Sequence, residues 1–403
     1  MTTMNIDAEY DAVVVGGGPA GATAAQTLAE RGHKVMLLDR CDRIKPCGGA
    51  IPPRLIRDFD IPDEQIEARV TQARMIAPSN NAVDMEIGGF VGMVDREFFD
   101  EWLRERARKA GAERALGRFQ QLSHDPADGK PVISYQPGKA SERSKDHVLN
   151  IKAKVVVGAD GATSVIAKQC VPGADKIPHV FAYHEIVKAP PAGTPGFEPH
   201  RCSVYYQGEM SPDFYGWVFP HGDKVSVGTG SAVKGFSLRQ ACTRMRDLSG
   251  MDGCETVRTE GAPLPLKPMK RWDNGKDVIL AGDAAGVVAP SSGEGIYYAM
   301  VSGQYSGEAA SEFLQTGKAS ALQRAHKRFR REHGKVFFIL GIMQRFWYTS
   351  DKRRERFVKI CEDKDVQHLT WEAYMNKKLV RAKPLAHMRI FFKDMAYLLG
   401  LAR

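Results

Sequence analysis

Residues 10–40 read YDAVVVGGGPAGATAAQTLAERGHKVMLLDR. Ala12 to Val15 make a short buried strand, Gly16 to Gly21 a tight turn, and Ala22 to Arg31 a segment of helix-forming composition. Val35 to Leu38 make a second apolar run that ends in Asp39. The order is that of a βαβ unit carrying G-x-G-x-x-G, with an acidic residue at the distance a ribose hydroxyl requires. Gly16 permits the turn, Gly18 lets the backbone approach a pyrophosphate, and Gly21 lets the helix pack closely on the strand. The helix N-terminus then aims free N–H groups at the phosphates, and Asp39 accepts from the adenosine ribose. A turn without ligand is the competing reading of the bare glycine pattern. The pattern does not separate FAD from NAD.

Working outward, 403 residues with 43% apolar content allow about two to three globular domains. No basic residue precedes Arg31, so a secretory leader is not expected. No apolar run approaches the ~18 to 20 residues of a membrane span. The seven cysteines (Cys41, Cys47, Cys170, Cys202, Cys242, Cys254 and Cys361) are scattered without a C-x-x-C pair. That usage predicts a reducing, cytoplasmic setting and no zinc or other metal site. Charge is uneven: residues 321–403 hold 20 Lys+Arg against 8 Asp+Glu, a net of +12, while the rest of the chain is at −3. The basic excess marks either a solvated helical face or a region with an anionic partner.

Beyond Asp39, the run Lys45-Pro46-Cys47-Gly48-Gly49-Ala50-Ile51-Pro52-Pro53 predicts an irregular loop whose backbone lies close to a ligand. Cys47 is either a buried structural thiol or an active-site residue. Residues 61–94 show short alternating strands, and positions 98, 99, 102, 103 and 107 mark the buried face of a helix beginning near Arg96. Residues 120–150 read as an exposed hairpin. Val155-Val156-Val157-Gly158-Ala159-Asp160-Gly161 is again strand then glycine turn, with a carboxylate at the strand end.

From about Phe181 to Gly261 the pattern alternates. Tyr215 to Pro220 and Lys224 to Gly228 form a hairpin with a three-residue loop, His221-Gly222-Asp223. Tyr215, Trp217 and Phe219 share one strand face, as sheet core or as a ligand-facing wall. Val278 to Leu280 is a third strand leading to Gly282-Asp283; Pro290, Gly293 and Gly295 then precede a helix of small residues starting at Ile296.

With these motifs in hand, the chain resembles the flavoprotein reductases and hydroxylases of the para-hydroxybenzoate hydroxylase fold. The resemblance rests on the G-x-G-x-x-G unit, Gly158-Ala159-Asp160-Gly161, and Gly282-Asp283 followed by Pro290. It implies one FAD in an α/β Rossmann-like domain, with an inserted, mainly antiparallel substrate sheet and a C-terminal helical region. Arg96 would reach the phosphate–ribose region, Asp283 the ribityl or pyrophosphate, and Gly293 to Ile296 the pyrimidine edge of the flavin. Asp160, Gly282, Gly48 and Gly49 belong to the same cofactor set. The expected boundaries are 8–60, 95–175 and 265–320 for the FAD domain, 61–94 and 176–264 for the substrate domain, and 321–403 for the basic helical region.

Within that group the chain resembles the geranylgeranyl reductases of the chlorophyll and bacteriochlorophyll branch, through Lys45 to Pro52, Tyr215 to Pro220, and Gly293 to Met300. The family saturates three prenyl double bonds of geranylgeranyl diphosphate, or of the pigment ester, to the phytyl form. NADPH is its usual reductant; this chain has no second dinucleotide fingerprint, so the nicotinamide would visit transiently, or a reduced electron-carrier protein would substitute. An isolated alkene has no carbonyl to absorb electron density, so a proton donor must act together with hydride transfer. Aromatic faces that stabilise a developing cation, and exclusion of water, complete the requirement. Cys47 is the candidate acid, since an ordinary thiol of pKa about 8.5 is mostly protonated at neutral pH; Tyr215, Trp217 and Phe219 are the candidate wall. The rivals are an aromatic monooxygenase on the same FAD fold and a non-catalytic, membrane-associated flavoprotein scaffold. Met388, Phe391, Phe392, Met395, Leu398 and Leu399 recur at helical spacing beside Lys383, Arg389 and Lys393. They suggest peripheral contact with the cytoplasmic side of a membrane, or a face docked on the protein itself. No nucleic-acid partner is expected.

Overall fold

The computed structural model describes residues 5–40, 44–144, 146–191 and 193–377. In chain order its first elements are β1 (Ala8–Val15), α1 (Pro19–Glu30), β2 (Val35–Asp39), β3 (Ala50–Ile51), α2 (Pro53–Asp58), β4 (Ala68–Ile76), β5 (Ala82–Met93) and α3 (Arg96–Lys109). Next come β6 (Glu113–His124), β7 (Pro131–Pro137), β8 (Leu149–Gly158), α4 (Val165–Cys170), β9 (His179–Lys188), β10 (Arg201–Tyr205), β11 (Gly216–His221) and β12 (Lys224–Ser231). The chain continues through α5 (Leu238–Leu248), β13 (Thr256–Pro265), β14 (Val278–Leu280), α6 (Ile296–Thr316), α7 (Gln323–Trp347), α8 (Asp351–Ile360) and α9 (Lys364–Tyr374).

The chain divides into two compact units. The first takes the chain up to Cys47, Arg96–His179 and Pro263–Gly334; the second takes Gly48–Asp95, Val180–Ala262 and the chain from Lys335. The crossover therefore falls between Cys47 and Gly48, within the Cys-Gly-Gly loop. The C-terminal helices, read from sequence as a region of their own, divide between the two units.

In the first unit β6, β2, β1, β8 and β14 run parallel in that order, and β7 closes an antiparallel meander between β6 and the start of β8. The strands are apolar on both faces: Val13, Val14, Val156, Val157, Ile279 and Leu280 are fully buried, as a parallel sheet covered by helices requires. Strand order reverses at β1, where Val15 lies beside Gly158, and ligands of such sheets bind at the strand ends there. α1 begins at Pro19, earlier than its composition suggested, because Gly18 serves as N-cap and proline fits the first helical position. α1 and α6 approach closely; a side chain at Gly303 would lie 2.2 Å from the Ala20 carbonyl oxygen. On α3 the buried face is Phe99, Leu103 and Ala107, whereas Phe98 is 63% exposed. The adjacent pair Phe98–Phe99 spans about 100° of helix, more than this contact covers.

In the second unit eight strands follow the order β13-β9-β12-β11-β10-β4-β5-β3; from β9 to β3 the neighbours are antiparallel except for β10 with β4. One core packs α5, through Cys242 and Met245, on Val187, Val218, Val225 and Val227. The β11–β12 hairpin closes through Gly222-Asp223, two residues instead of three, since His221 pairs with Lys224. Among the described residues no helix is long and apolar enough to cross a membrane, and no metal-binding cluster occurs. The apolar repeat from Met388 to Leu399 lies outside the described residues, as does Cys41.

Candidate active site

The dinucleotide cradle assembles at the ends of β1, β2, β8 and β14. Gly16 has φ 103°, and a Cβ there would stand 2.3 Å from the Ala159 carbonyl oxygen; one on Gly21 would stand 1.8 Å from the Gly16 oxygen. Both positions are closed by backbone. Gly18 is the opposite case: nothing lies within 4 Å of its would-be Cβ. The open side of the turn is thus at Gly18, directly before the first turn of a 12-residue helix that has no side-chain cap. Its unbonded N–H groups and the positive end of the dipole suit a pyrophosphate. Asp39, at the end of β2, is partly exposed and pairs at 3.3 Å with Arg104, which also donates to the Gly17 carbonyl. The residues present therefore fit an FAD diphosphate and ribose. Arg104 had no sequence signal, because it reaches the turn from α3, 65 residues beyond Asp39.

The other two motifs meet the same strand ends. Asp160 accepts hydrogen bonds from the Ser164 hydroxyl and from the N–H groups of Val165 and Ile166. Burial raises its pKa, and these donors only partly offset the effect. The side chain's visible work is to hold the turn onto α4. Asp283 is buried and ion-paired with Lys45, 238 residues away; Lys45 was legible only as part of the Cys47 loop. Gly282 donates to the Ser302 hydroxyl at 2.9 Å. Pro290 and Ile296 are buried, the Gly293 N–H donates to the Ala289 carbonyl, and Gly295 is the N-cap of α6. Glu294 accepts from the Tyr297 N–H at 2.8 Å, closing that helix start.

Cys47, Cys170 and Cys254 are partly exposed, whereas Cys202, Cys242 and Cys361 are buried. Burial pushes Cys170 up to about 11, Cys242 and Cys361 up to about 12, and Cys202 higher still. Cys47 is half-buried and hydrogen-bonded to Arg96. The Arg96 guanidinium is 5% exposed and grips Asp100 with two bonds of 2.7 Å. Burial opposes its charge, but attraction and hydrogen bonds from Asp100, with Cys47 adding to them, hold its pKa above the ordinary range.

In the second unit Tyr215 and Trp217 are 6.0 Å apart edge to face, and Trp217 and Phe219 are 6.3 Å apart. The stripe predicted from strand periodicity is continuous. Trp217 lies over Gly228, where a Cβ would come within 2.4 Å of the indole. The indole N–H donates to Ser226, Ser226 meets His184, and His184 meets Glu260 at 2.8 Å. Arg258 ties Glu260 to Asp95. This buried chain fixes the ring plane.

The Gly48–Gly49 turn lies against the same stripe: a Cβ on Gly48 would be 3.3 Å from Phe219, and one on Gly49 2.4 Å from His221. His221 Nε2 is 3.0 Å from the Gly48 carbonyl and must carry the proton to donate to it. Burial, more than any neighbouring charge, lowers the His221 pKa to about 4. His221 sits in a motif read from sequence only as a hairpin loop.

Fold and cradle together define a flavoprotein with a Rossmann-type FAD domain and a separate antiparallel sheet. The family model described as FAD binding domain matches residues 9–336. Geranylgeranyl diphosphate reductase of Rhodobacter capsulatus is 56% identical over 394 residues, covering 98% of both chains. The chloroplastic geranylgeranyl diphosphate reductase of Oryza sativa is 38% identical, covering 94% of this chain and 83% of its own. Among solved structures, a geranylgeranyl bacteriochlorophyll reductase-like protein from Thermoplasma acidophilum superposes with TM-score 0.79 at 21% identity, covering 93% and 98%; at that identity it shows the fold. The chain belongs to the geranylgeranyl diphosphate reductase family of FAD-binding flavoproteins.

Proposed function

We propose that the protein is an NADPH-dependent FAD oxidoreductase. It saturates three prenyl double bonds of geranylgeranyl diphosphate, or of the geranylgeranyl ester of chlorophyll or bacteriochlorophyll, to the phytyl form. The observation that carries this is the 56% identity over nearly the full length of both chains. A reduced electron-carrier protein is the alternative donor. The aromatic monooxygenase and the scaffold are disfavoured by that identity.

Bound FAD, once reduced, supplies the hydride. The chain supplies the rest. Gly16, Gly18, Gly21, Asp39, Arg96, Asp283 and Gly293 to Ile296 hold the cofactor, with Gly48, Gly49, Asp160, Gly282 and Pro290 shaping the loops around it. Cys47 Sγ–H delivers the proton to the less substituted alkene carbon, while the other carbon accepts the hydride and carries positive charge in between. Arg96, hydrogen-bonded to Cys47, is the counter-charge beside the sulfur after the proton has left; water restores the thiol. Tyr215, Trp217 and Phe219 offer ring faces to the cationic carbon and keep water from it.

Substrate-dependent NADPH oxidation tests this reading: geranylgeranyl diphosphate should stimulate it without oxygen uptake, whereas oxygen consumption triggered by an aromatic compound would indicate the monooxygenase. Cys47→Ala should keep FAD bound and reducible but slow alkene saturation by ~10²- to 10⁴-fold, the usual share of a general acid; a loss below about tenfold removes Cys47 as the donor. Trp217→Ala should lower turnover and spare flavin reduction. The basic segment beyond residue 377 is proposed to meet anionic membrane surface. Weakened co-sedimentation with acidic vesicles on removing residues 384–403 is the expected result, and binding that is unchanged, or absent at low salt, rejects it.

A further inference from the structure

From Lys335 to Trp347 helix α7 is apolar around its whole circumference. Val336, Phe337 and Leu340 are buried, while Phe338, Ile339 and Ile342 are 69%, 39% and 51% exposed. Phe338 and Ile342 are one turn apart, and Ile339 adjoins both, so the three form one outward patch. A helix apolar on all sides is ordinarily covered on all sides. Lys335 stands one turn before Phe338 and Arg345 one turn after Ile342, and the segment contains no acidic residue. Among the described residues neither cation forms an ion pair.

We propose that this face of α7 docks on an anionic lipid surface, with Phe338, Ile339 and Ile342 entering the headgroup–acyl boundary and Lys335 and Arg345 meeting lipid phosphates. Apolar side chains framed by cations are what an interfacial helix presents. Charge selects this occupant over two others. A second copy would bring Lys335 and Arg345 against the same cations. Residues 378–403 carry six Lys+Arg against the single Asp394, so they too would be repelled, whereas an anionic surface attracts both. The proposal stands apart from the reductase reading, since lipid binding is measured without turnover.

The test is co-sedimentation of the full-length flavoprotein with vesicles of equal parts phosphatidylcholine and phosphatidylglycerol, and with phosphatidylcholine alone. Binding is expected only to the mixed vesicles and should weaken with salt. Phe338→Asp/Ile342→Asp should weaken it roughly tenfold or more, with flavin content and reduction of detergent-dispersed geranylgeranyl diphosphate unchanged. Lys335→Gln/Arg345→Gln, which leaves the apolar patch intact, should weaken it by roughly fivefold per cation removed. Undiminished vesicle binding by both variants overturns the proposal. So does a change from dimer to monomer with vesicle binding unaltered, which assigns the face to a second copy. New proteolytic sensitivity of residues 378–403 with vesicle binding unaltered also overturns it, by assigning the face to that segment.

Discussion

Replacing Gly18 with valine should separate cofactor binding from folding. Gly18 has φ −73° and ψ −176°, extended backbone that valine adopts without strain, and nothing lies within 4 Å of the added Cβ. The fold should lose only the difference between glycine and valine as an N-cap, about 1 kcal/mol. The branched side chain, however, fills the space through which a pyrophosphate reaches the first N–H groups of α1. Losing two charge-assisted hydrogen bonds at ~1.5 to 3 kcal/mol each is about 3 to 6 kcal/mol, or roughly 10²- to 10⁴-fold in FAD affinity. Gly21→Ala is the control: its methyl would lie 1.8 Å from the Gly16 oxygen, so fold and flavin should fail together. The assay is the ratio of flavin to protein absorbance after purification, beside thermal unfolding of flavin-stripped proteins. A Gly18→Val protein that kept flavin at full stoichiometry, or unfolded as Gly21→Ala does, would refute the placement of the pyrophosphate.

Two further outcomes follow from the substrate sheet. His221, lowered to about 4 by burial, stays neutral when folded but takes up a proton near pH 6.5 when unfolded. The unfolded state therefore binds more protons between those values, and stability should fall by up to about 3 kcal/mol as pH drops from 6.5 to 4. His221→Gln, which keeps a donor for the Gly48 carbonyl, should flatten that acid limb in urea-unfolding titrations, and an unchanged limb would assign it to other groups. Gly228→Ala places a methyl 2.4 Å from both the Trp217 indole and the His184 Cβ. It should cost about 1 to 3 kcal/mol and shift Trp217 fluorescence while leaving bound flavin in place; unaltered fluorescence would mean that the ring is not held as described.

The nucleotide half was legible because its determinants are local. Glycine spacing, two apolar runs and Asp39 all fall within 30 residues, and each of those features depends on neighbours along the chain. The aromatic stripe was legible for the same reason, since strand periodicity alone puts Tyr215, Trp217 and Phe219 on one side. The partners of these residues were not. Arg104 with Asp39, Lys45 with Asp283, and His184 with Ser226 and Glu260 join residues far apart in sequence. Asp160 had the right position for a ligand contact, yet only the structure showed its oxygens engaged at the start of α4. Phe98 was assigned inward because amphipathic spacing cannot say how wide a contact its helix makes.

The central claim is alkene reduction, and one measurement addresses it directly. The purified flavoprotein is reduced without oxygen, geranylgeranyl diphosphate is added, and the products are weighed by mass spectrometry. With the reduced flavoprotein in at least threefold excess over substrate, since each flavin gives the electrons for one hydrogen pair, species heavier by one, two and three hydrogen pairs, appearing in succession as the flavin reoxidises, are the predicted result. Unchanged geranylgeranyl diphosphate beside flavin that stays reduced, with the pigment ester equally inert, would contradict it.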